Sequence, residues 1–484
     1  MKNGVAPDAP RRSPIHHNPA SLDELLGHAR ELGDAYVAAA LHPFAGAEAR
    51  KELERASLAN RKLRRLFAGA PYTPPSLLEV LIKDPDEKIR QRVARHPRTP
   101  HAVLAWLVDI DGSQAVRAAI AAHPNADASL LGRLLDDASD AVRDSLCSNP
   151  QTGAEALAAL ADRASLTQLK GIARNPNADA EVLRSLWARG DIYLRGEIAA
   201  HPNCPSDLQN ESGQHPDPLV RRMLAANPAV TTDTLVHLLK DPEAQVRAAA
   251  ARNLALPDTE LKVLSNDPSR QVRRTEARRH GLMREILDDL ADDEDPWVRR
   301  WVARNPAASE AVLSRLASDD EMEVRRGIAR NPSCPQALLG ELAQDPEAWV
   351  RAGVAFRSDA PQDAIARLAS DESIDVTAGL GRNPRTPQAQ LVRIAAHQNH
   401  DVRRSVILNE QAPLVVLKPL LDDPYPINRA MLAAHPALSV EARWYLLDDP
   451  EPQVRFIAGQ ALARQCGQPD GTGRGPSSPG HQNH

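Results

Sequence analysis

Tryptophan and arginine recur at helical spacing in the middle of this chain, and they are the first residues whose chemistry asks for an explanation. Trp297 and Trp301 stand four residues apart, as do Arg300 and Arg304, and Arg326 and Arg330 repeat the arginine pair further on. A four-residue step places side chains on one face of a helix. If such helices stack, Arg279, Trp297, Arg300, Trp301, Arg304, Arg326 and Arg330 gather into one exposed basic-aromatic patch. That patch suits a protein interface, where tryptophan and arginine carry much of the energy, or the bases and phosphates of a nucleic acid. The plainer expectation is a solvated face with cations near helix C-termini, where the helix dipole favours them.

Other constellations carry less. The acidic run Asp288, Asp289, Asp292, Asp293, Glu294 and Asp295 offers the carboxylates a hard cation takes, but it also reads as a helix-opening loop or a partner for nearby arginines. Cys204 and Cys334 each precede a helix, where a thiol pKa can fall; Thr or Ala fills the same slot elsewhere, so small-residue packing is the expectation. The histidines alternate with asparagine at one repeated turn position, too far apart to share a metal. The chain lacks GxxxxGK[ST], HExxH and GxSxG, so no catalytic residues, cofactor or metal are expected.

The elements that position these residues come from a repeat. Asn-Pro or His-Pro recurs about every 26 residues, with the anchor residue at His96, His123, Asn149, Asn175, His201, Asn227, Asn253, His280, Asn305, Asn331, Arg357, Asn383, Asn409 and His435. Aliphatic residues keep phase seven and three before the anchor, as in Val324 and Ile328, with alanine two before it. Leucines follow at plus eight and plus eleven, as in Leu339 and Leu342. These offsets are helical stripes. Asp-Pro opens the first helix, with Asp read as N-cap and Pro in the first turn. The residue before the anchor proline is driven out of the α region and ends that helix. Each unit is two short helices that bury nothing alone and a core when stacked.

Six residues before the anchor runs an arginine ladder that includes Arg90, Arg117, Arg221, Arg247, Arg274, Arg299, Arg325, Arg403 and Arg429. Its regularity reads as architecture, with Arg bridging to an Asp of the neighbouring unit, rather than as a phosphate stripe.

Composition sets the bounds. Hydrophobic residues make up 42% of the 484 residues but aromatics only 3%, so small aliphatics must do the packing. The net charge of −5 demands no nucleic acid or anionic membrane. No apolar run approaches a membrane span, and the four cysteines make no disulfide framework.

The line V-R-x-x-[VI]-A-x-[NH]-P-x-[TAC]-P-x-x-L-L-x-x-L-A-x-D, complete at 324–345, resembles the leucine-rich-repeat variant family. The resemblance implies an all-α, HEAT-like α-solenoid superhelix, each unit an α-helix followed by a shorter, partly 3₁₀ helix. About fifteen such repeats are expected over 64–464, after a disordered segment at 1–16 and divergent capping repeats at 17–63, with a disordered tail at 465–484. The family's type member adds an N-terminal cysteine cluster for an iron–sulfur centre; the first cysteine here is Cys147, so none is carried over. A weakened second helix is expected near 206–216, where Ser212 replaces a leucine. The functional expectation is a cytoplasmic, non-catalytic scaffold for a protein or peptide. The alternatives are nucleic-acid binding through the arginine-tryptophan patch, and a HEAT-like enzyme or modification chaperone.

Overall fold

The computed structural model describes residues 58–466 except residue 72, together with Lys51, Glu54 and Arg55. The expectations for 1–16, for most of 17–63 and for the tail beyond 466 lie outside the described residues. All regular structure among the described residues is helical, and none of those helices is long and apolar enough to cross a membrane. The chain divides into two compact units, Ala68–Ser370 and a second comprising Met1–Phe67 and Asp371–His484. The fold class is an α-solenoid of two-helix repeats.

In the unit Ala68–Ser370, the repeat at 322–347 shows why the sequence folds as it does. Its first helix, Met322–Ala329, buries Val324, Ile328 and Ala329, and its second, Gln336–Leu342, buries Leu338, Leu339 and Leu342. Each large aliphatic contributes about 1.5–3 kcal/mol by leaving water. The anchor Asn331 is fully buried. Its Nδ2 donates to the carbonyls of Ala303 (2.8 Å) and Asn305 (2.9 Å) in the preceding repeat. Its Oδ1 accepts from the Ser333 N–H at 2.8 Å. One amide thus closes its own turn and ties two repeats together.

Histidine does the same work with one bond fewer. At His123, Nδ1 accepts from the Asn125 N–H and Nε2 reaches the His96 carbonyl at 3.0 Å. That pair of roles requires a neutral ring with the proton on Nε2. Where threonine fills the slot three residues on, its hydroxyl donates to the end of the first helix, as Thr99 Oγ1 does to Val93 O at 2.6 Å.

The arginine ladder is architecture. Arg325 Nε and Nη2 grip both oxygens of Asp345 (2.7 and 3.0 Å), while Nη1 donates to the Asp319 carbonyl at 2.9 Å. Arg90, Arg117, Arg221, Arg247 and Arg299 repeat the grip on Asp111, Asp137, Asp241, Asp267 and Asp319. Each such Asp stands two residues before the N-cap rather than at it, a correction to the expected placement. At Asp241-Pro242, the N-cap is Glu243, whose N–H donates to Asp241 Oδ1 at 2.9 Å. The carboxylate closes the turn and stays available to the arginine of the repeat before.

Two further expectations are corrected here. Around 254–283 the register shifts by one: the anchor is Arg279, not His280, and the ladder arginine is Arg273, not Arg274. Arg279 Nη1 reaches the carbonyls of Ala251 (3.0 Å) and Asn253 (3.1 Å), the bonds an asparagine makes elsewhere, and Arg273 grips Asp293. Without a proline after the anchor, the turn passes through Gly281 at φ 81°, a left-handed conformation that suits glycine. The second helix of the repeat before it, after the anchor Asn253, is 3₁₀, Asp258–Leu264. By contrast, the helix expected to be weak is a full one, Ser206–Gly213, held by Leu208 and a buried Ser212. Trp187, itself buried, donates to Glu211 on that helix at 3.0 Å.

In the unit containing Asp371–Cys466 the same devices recur. Asn409 donates to Gly381 and Asn383 carbonyls, and Arg403 and Arg429 grip Asp423 and Asp449. The last helix, Pro452–Cys466, runs on without an anchor turn. Buried Arg443 takes over instead: it donates to Ala433 (3.1 Å), His435 (2.6 Å) and Leu438 (2.5 Å) carbonyls, two of which a next anchor would have used. The repeat carries its own end cap.

Candidate functional site

Every first helix with an anchor buries the positions seven, three and two before it, which leaves eight and one before it outermost and five and four before it partly covered by the neighbouring first helix. On four successive first helices of Ala68–Ser370 those positions hold arginine and tryptophan. Arg270–Ala277 and its cap supply Arg274 and Arg278; Pro296–Arg304 supplies Trp297, Arg300, Trp301 and Arg304. Met322–Ala329 and its cap supply Glu323, Arg326 and Arg330, and Ala348–Ala355 supplies Trp349. Close stacking of these helices depends on Gly327, where a Cβ would meet the Ala303 Cβ at 2.9 Å.

The aromatic rings hold guanidinium groups in place. Arg300 lies 4.7 Å from the Trp297 ring centre and 5.6 Å from that of Trp301. Arg278 and Arg304 flank Trp301 at 4.5 and 5.4 Å, and Arg326 covers Trp349 at 4.6 Å. Trp297 and Trp349 remain 45% and 49% exposed, so the face is apolar as well as cationic. Each cation–π contact contributes about 0.5–1 kcal/mol at such exposure.

The charge on the face is unbalanced. Glu323 sits between Arg300 (3.5 Å) and Arg326 (3.4 Å), and Arg274 pairs with Asp295 at 2.6 Å. Arg278, Arg304 and Arg330 have no carboxylate partner among the described residues. Burial holds Arg300 below the ordinary arginine value, Glu323 opposes that, and Arg304 and Arg326 add to it. Arg330 is lowered by burial and then by Arg326 and Arg304. The Nε of Arg326 is buried and makes no hydrogen bond. These cations crowd one another and want an anion.

Of the seven residues the sequence singled out, six come together: Trp297, Arg300, Trp301, Arg304, Arg326 and Arg330. Arg279 does not belong. Its side chain is 10% exposed and pairs with Asp258 at 3.0 Å while serving as the repeat's anchor. Arg278 takes the outward place instead, because the register slips by one. Sequence reasoning also missed Trp349, whose own helix carries Ala352 where its neighbours carry arginine; only stacking brings Arg326 over its ring.

The remaining constellations are spent on structure. In the acidic run, Asp293 and Glu294 meet Arg273, Asp292 meets Arg315 and Asp295 meets Arg274. Among the described residues no group of three His, Cys, Asp or Glu is placed to hold a metal ion. Burial pushes the thiols up, not down, Cys334 to about 11 and Cys204 to about 12. A hollow of about 400 Å³ beside His215 and His237 is lined by Arg221 and Asp241, but these two are bound to each other.

Residues 296–321 and 322–347, the two repeats at the centre of this face, match the leucine rich repeat variant family. No curated protein matches the chain. A solved structure of an engineered protein shares 16% identity, covering 88% of this chain and 98% of its own, at a TM-score of 0.19. A superposition that loose carries no argument.

Proposed function

We propose that this chain is a non-catalytic scaffold that binds a protein partner through the outward face of the first helices between Arg274 and Trp349. The observation that carries it is the contrast between neighbouring arginines. Arg299 and Arg325 are consumed by Asp319 and Asp345, whereas Arg300, Arg304, Arg326 and Arg330 share a single carboxylate, Glu323. Exposed tryptophan beside arginine is the composition of an interface hot spot. Catalysis finds little support, because the polar groups that converge elsewhere are paired with one another. The buried free thiols Cys147, Cys204 and Cys334 accord with a reducing, cytoplasmic setting.

The test is capture of partners on the immobilised full chain, with and without nuclease, using wild type and an R300E/R326E variant. A defined protein retained after nuclease by wild type and lost by the variant is the expected result. Retention of nuclease-sensitive material alone would replace this reading with nucleic-acid binding.

A further inference from the structure

The outward arginines form two rows. Arg274, Arg300 and Arg326 stand five before their anchors, and Arg278, Arg304 and Arg330 stand one before. Four residues of helix separate the rows, about 6 Å at 1.5 Å per residue. Along each row the step is one repeat, about 8–10 Å between packed helices. The strip is therefore narrow and periodic.

Its edges are hostile to a broad polyanion. Glu294, Asp320, Glu321 and Glu347 are exposed at the opening turns of these same helices, about 8 Å along the axis from the inner arginine row. The tryptophan rings are poor platforms for bases, since guanidinium groups already flank Trp301 at 4.5 and 5.4 Å. What the strip offers is guanidinium N–H donors held over aromatic rings, partly covered at Arg300 and Arg326 and exposed at Arg278 and Arg330.

Resting on the scaffold reading above, we infer that the occupant is an extended acidic segment of a protein partner, with carboxylates spaced to meet successive repeats. A chain in the extended polyproline-II conformation has three residues per turn and rises about 3.1 Å per residue, so every third residue returns to the same face about 9 Å on and meets the next repeat. Glutamate or aspartate at every third position matches the arginine rows in charge and in step. Arginine forks bind carboxylates with two parallel hydrogen bonds, which gives the contact direction as well as strength. The intervening side chains lie over Trp297 and Trp349.

The probe is a fluorescein-labelled peptide carrying glutamate at every third position, titrated with the full chain and read by anisotropy. Saturable binding is expected, weakening as salt rises. It should weaken about tenfold or more in R300E/R326E, the loss of one or two charge-assisted contacts. The variant R304E/R330E alters arginines without ion pairs and guards against misfolding, with melting by circular dichroism as the control. A peptide of the same composition with its glutamates clustered should bind more weakly, and one with glutamine for glutamate should not bind. No saturable binding of the spaced peptide overturns the inference, as does binding undiminished from wild type in both arginine variants or tighter binding of a single-stranded oligonucleotide. Capture of a protein through the same arginines, without peptide binding, removes the acidic segment and leaves the scaffold. Loss of both removes the scaffold.

Discussion

Arg299 and Arg300 are chain neighbours on one helix, as are Arg325 and Arg326, yet their environments are opposite. The first of each pair lies against the turn of the next repeat, with both carboxylate oxygens and a carbonyl in its grip. The second is scarcely more exposed, at 20% and 17%, but it lies over tryptophan and shares Glu323 with its counterpart one repeat away. A helix turn of 100° per residue separates an arginine gripped by a carboxylate from one held over an aromatic ring. Residue type therefore decides nothing here; phase within the repeat does.

The comparison breaks or holds on stability. Arg299→Ala leaves Asp319 half-enclosed without its fork and should cost about 2–3 kcal/mol. Arg326→Ala, one repeat on, strands no enclosed carboxylate and should cost less, about 1 kcal/mol for its contact with the Trp349 ring. Chemical denaturation of both variants, with hydrogen exchange to locate the opened repeat, checks the pair. Asn331→Ala removes a buried amide that closes three hydrogen bonds and should cost about 2 kcal/mol. Gly327→Ala forces a Cβ against Ala303, and about 1–2 kcal/mol of overpacking should appear in its denaturation midpoint.

Two predictions concern pH. Glu276 occupies an apolar slot three before Arg279 and is fully buried, with only Ser265 Oγ near, at 3.4 Å. Burial pushes its carboxyl up to about 8, helped by Asp267 and Asp289. The folded state holds that proton where the unfolded state has lost it, so stability falls as pH rises from about 4.5 to 8. Glu276→Gln should flatten that slope and stabilise the protein most above pH 8. The smallest effect is at His123, whose pKa burial lowers. Its contribution is present above about pH 6.5 and fades as pH falls below it; His123→Asn, the residue other repeats use, should remove that acid sensitivity.

The fold was legible because the repeat writes one packing solution many times, and Val324, Ile328, Leu339 and Leu342 keep their phase in almost every copy. The ladder was legible for the same reason. What escaped was chemistry without a fixed residue type. The anchor's task is donating to carbonyls one repeat back, and asparagine, histidine or arginine can do it. A pattern keyed to the proline after the anchor therefore misplaces Arg279, which His280 and Gly281 follow. Asp267 was missed with it, because a one-residue slip points from Arg274 to a proline instead. Trp349 was invisible for a different reason: its partner Arg326 lies in another repeat, so spacing within one helix says nothing about it.

The most direct test of the account is hydroxyl-radical footprinting of tryptophan and tyrosine, with and without the captured partner bound to the full chain. The account predicts that Trp297 and Trp349 lose reactivity on binding, while Trp106 and Tyr193, exposed on other repeats, keep theirs. Protection of Trp106 or Tyr193 with Trp297 and Trp349 unchanged would contradict it and place the interface elsewhere.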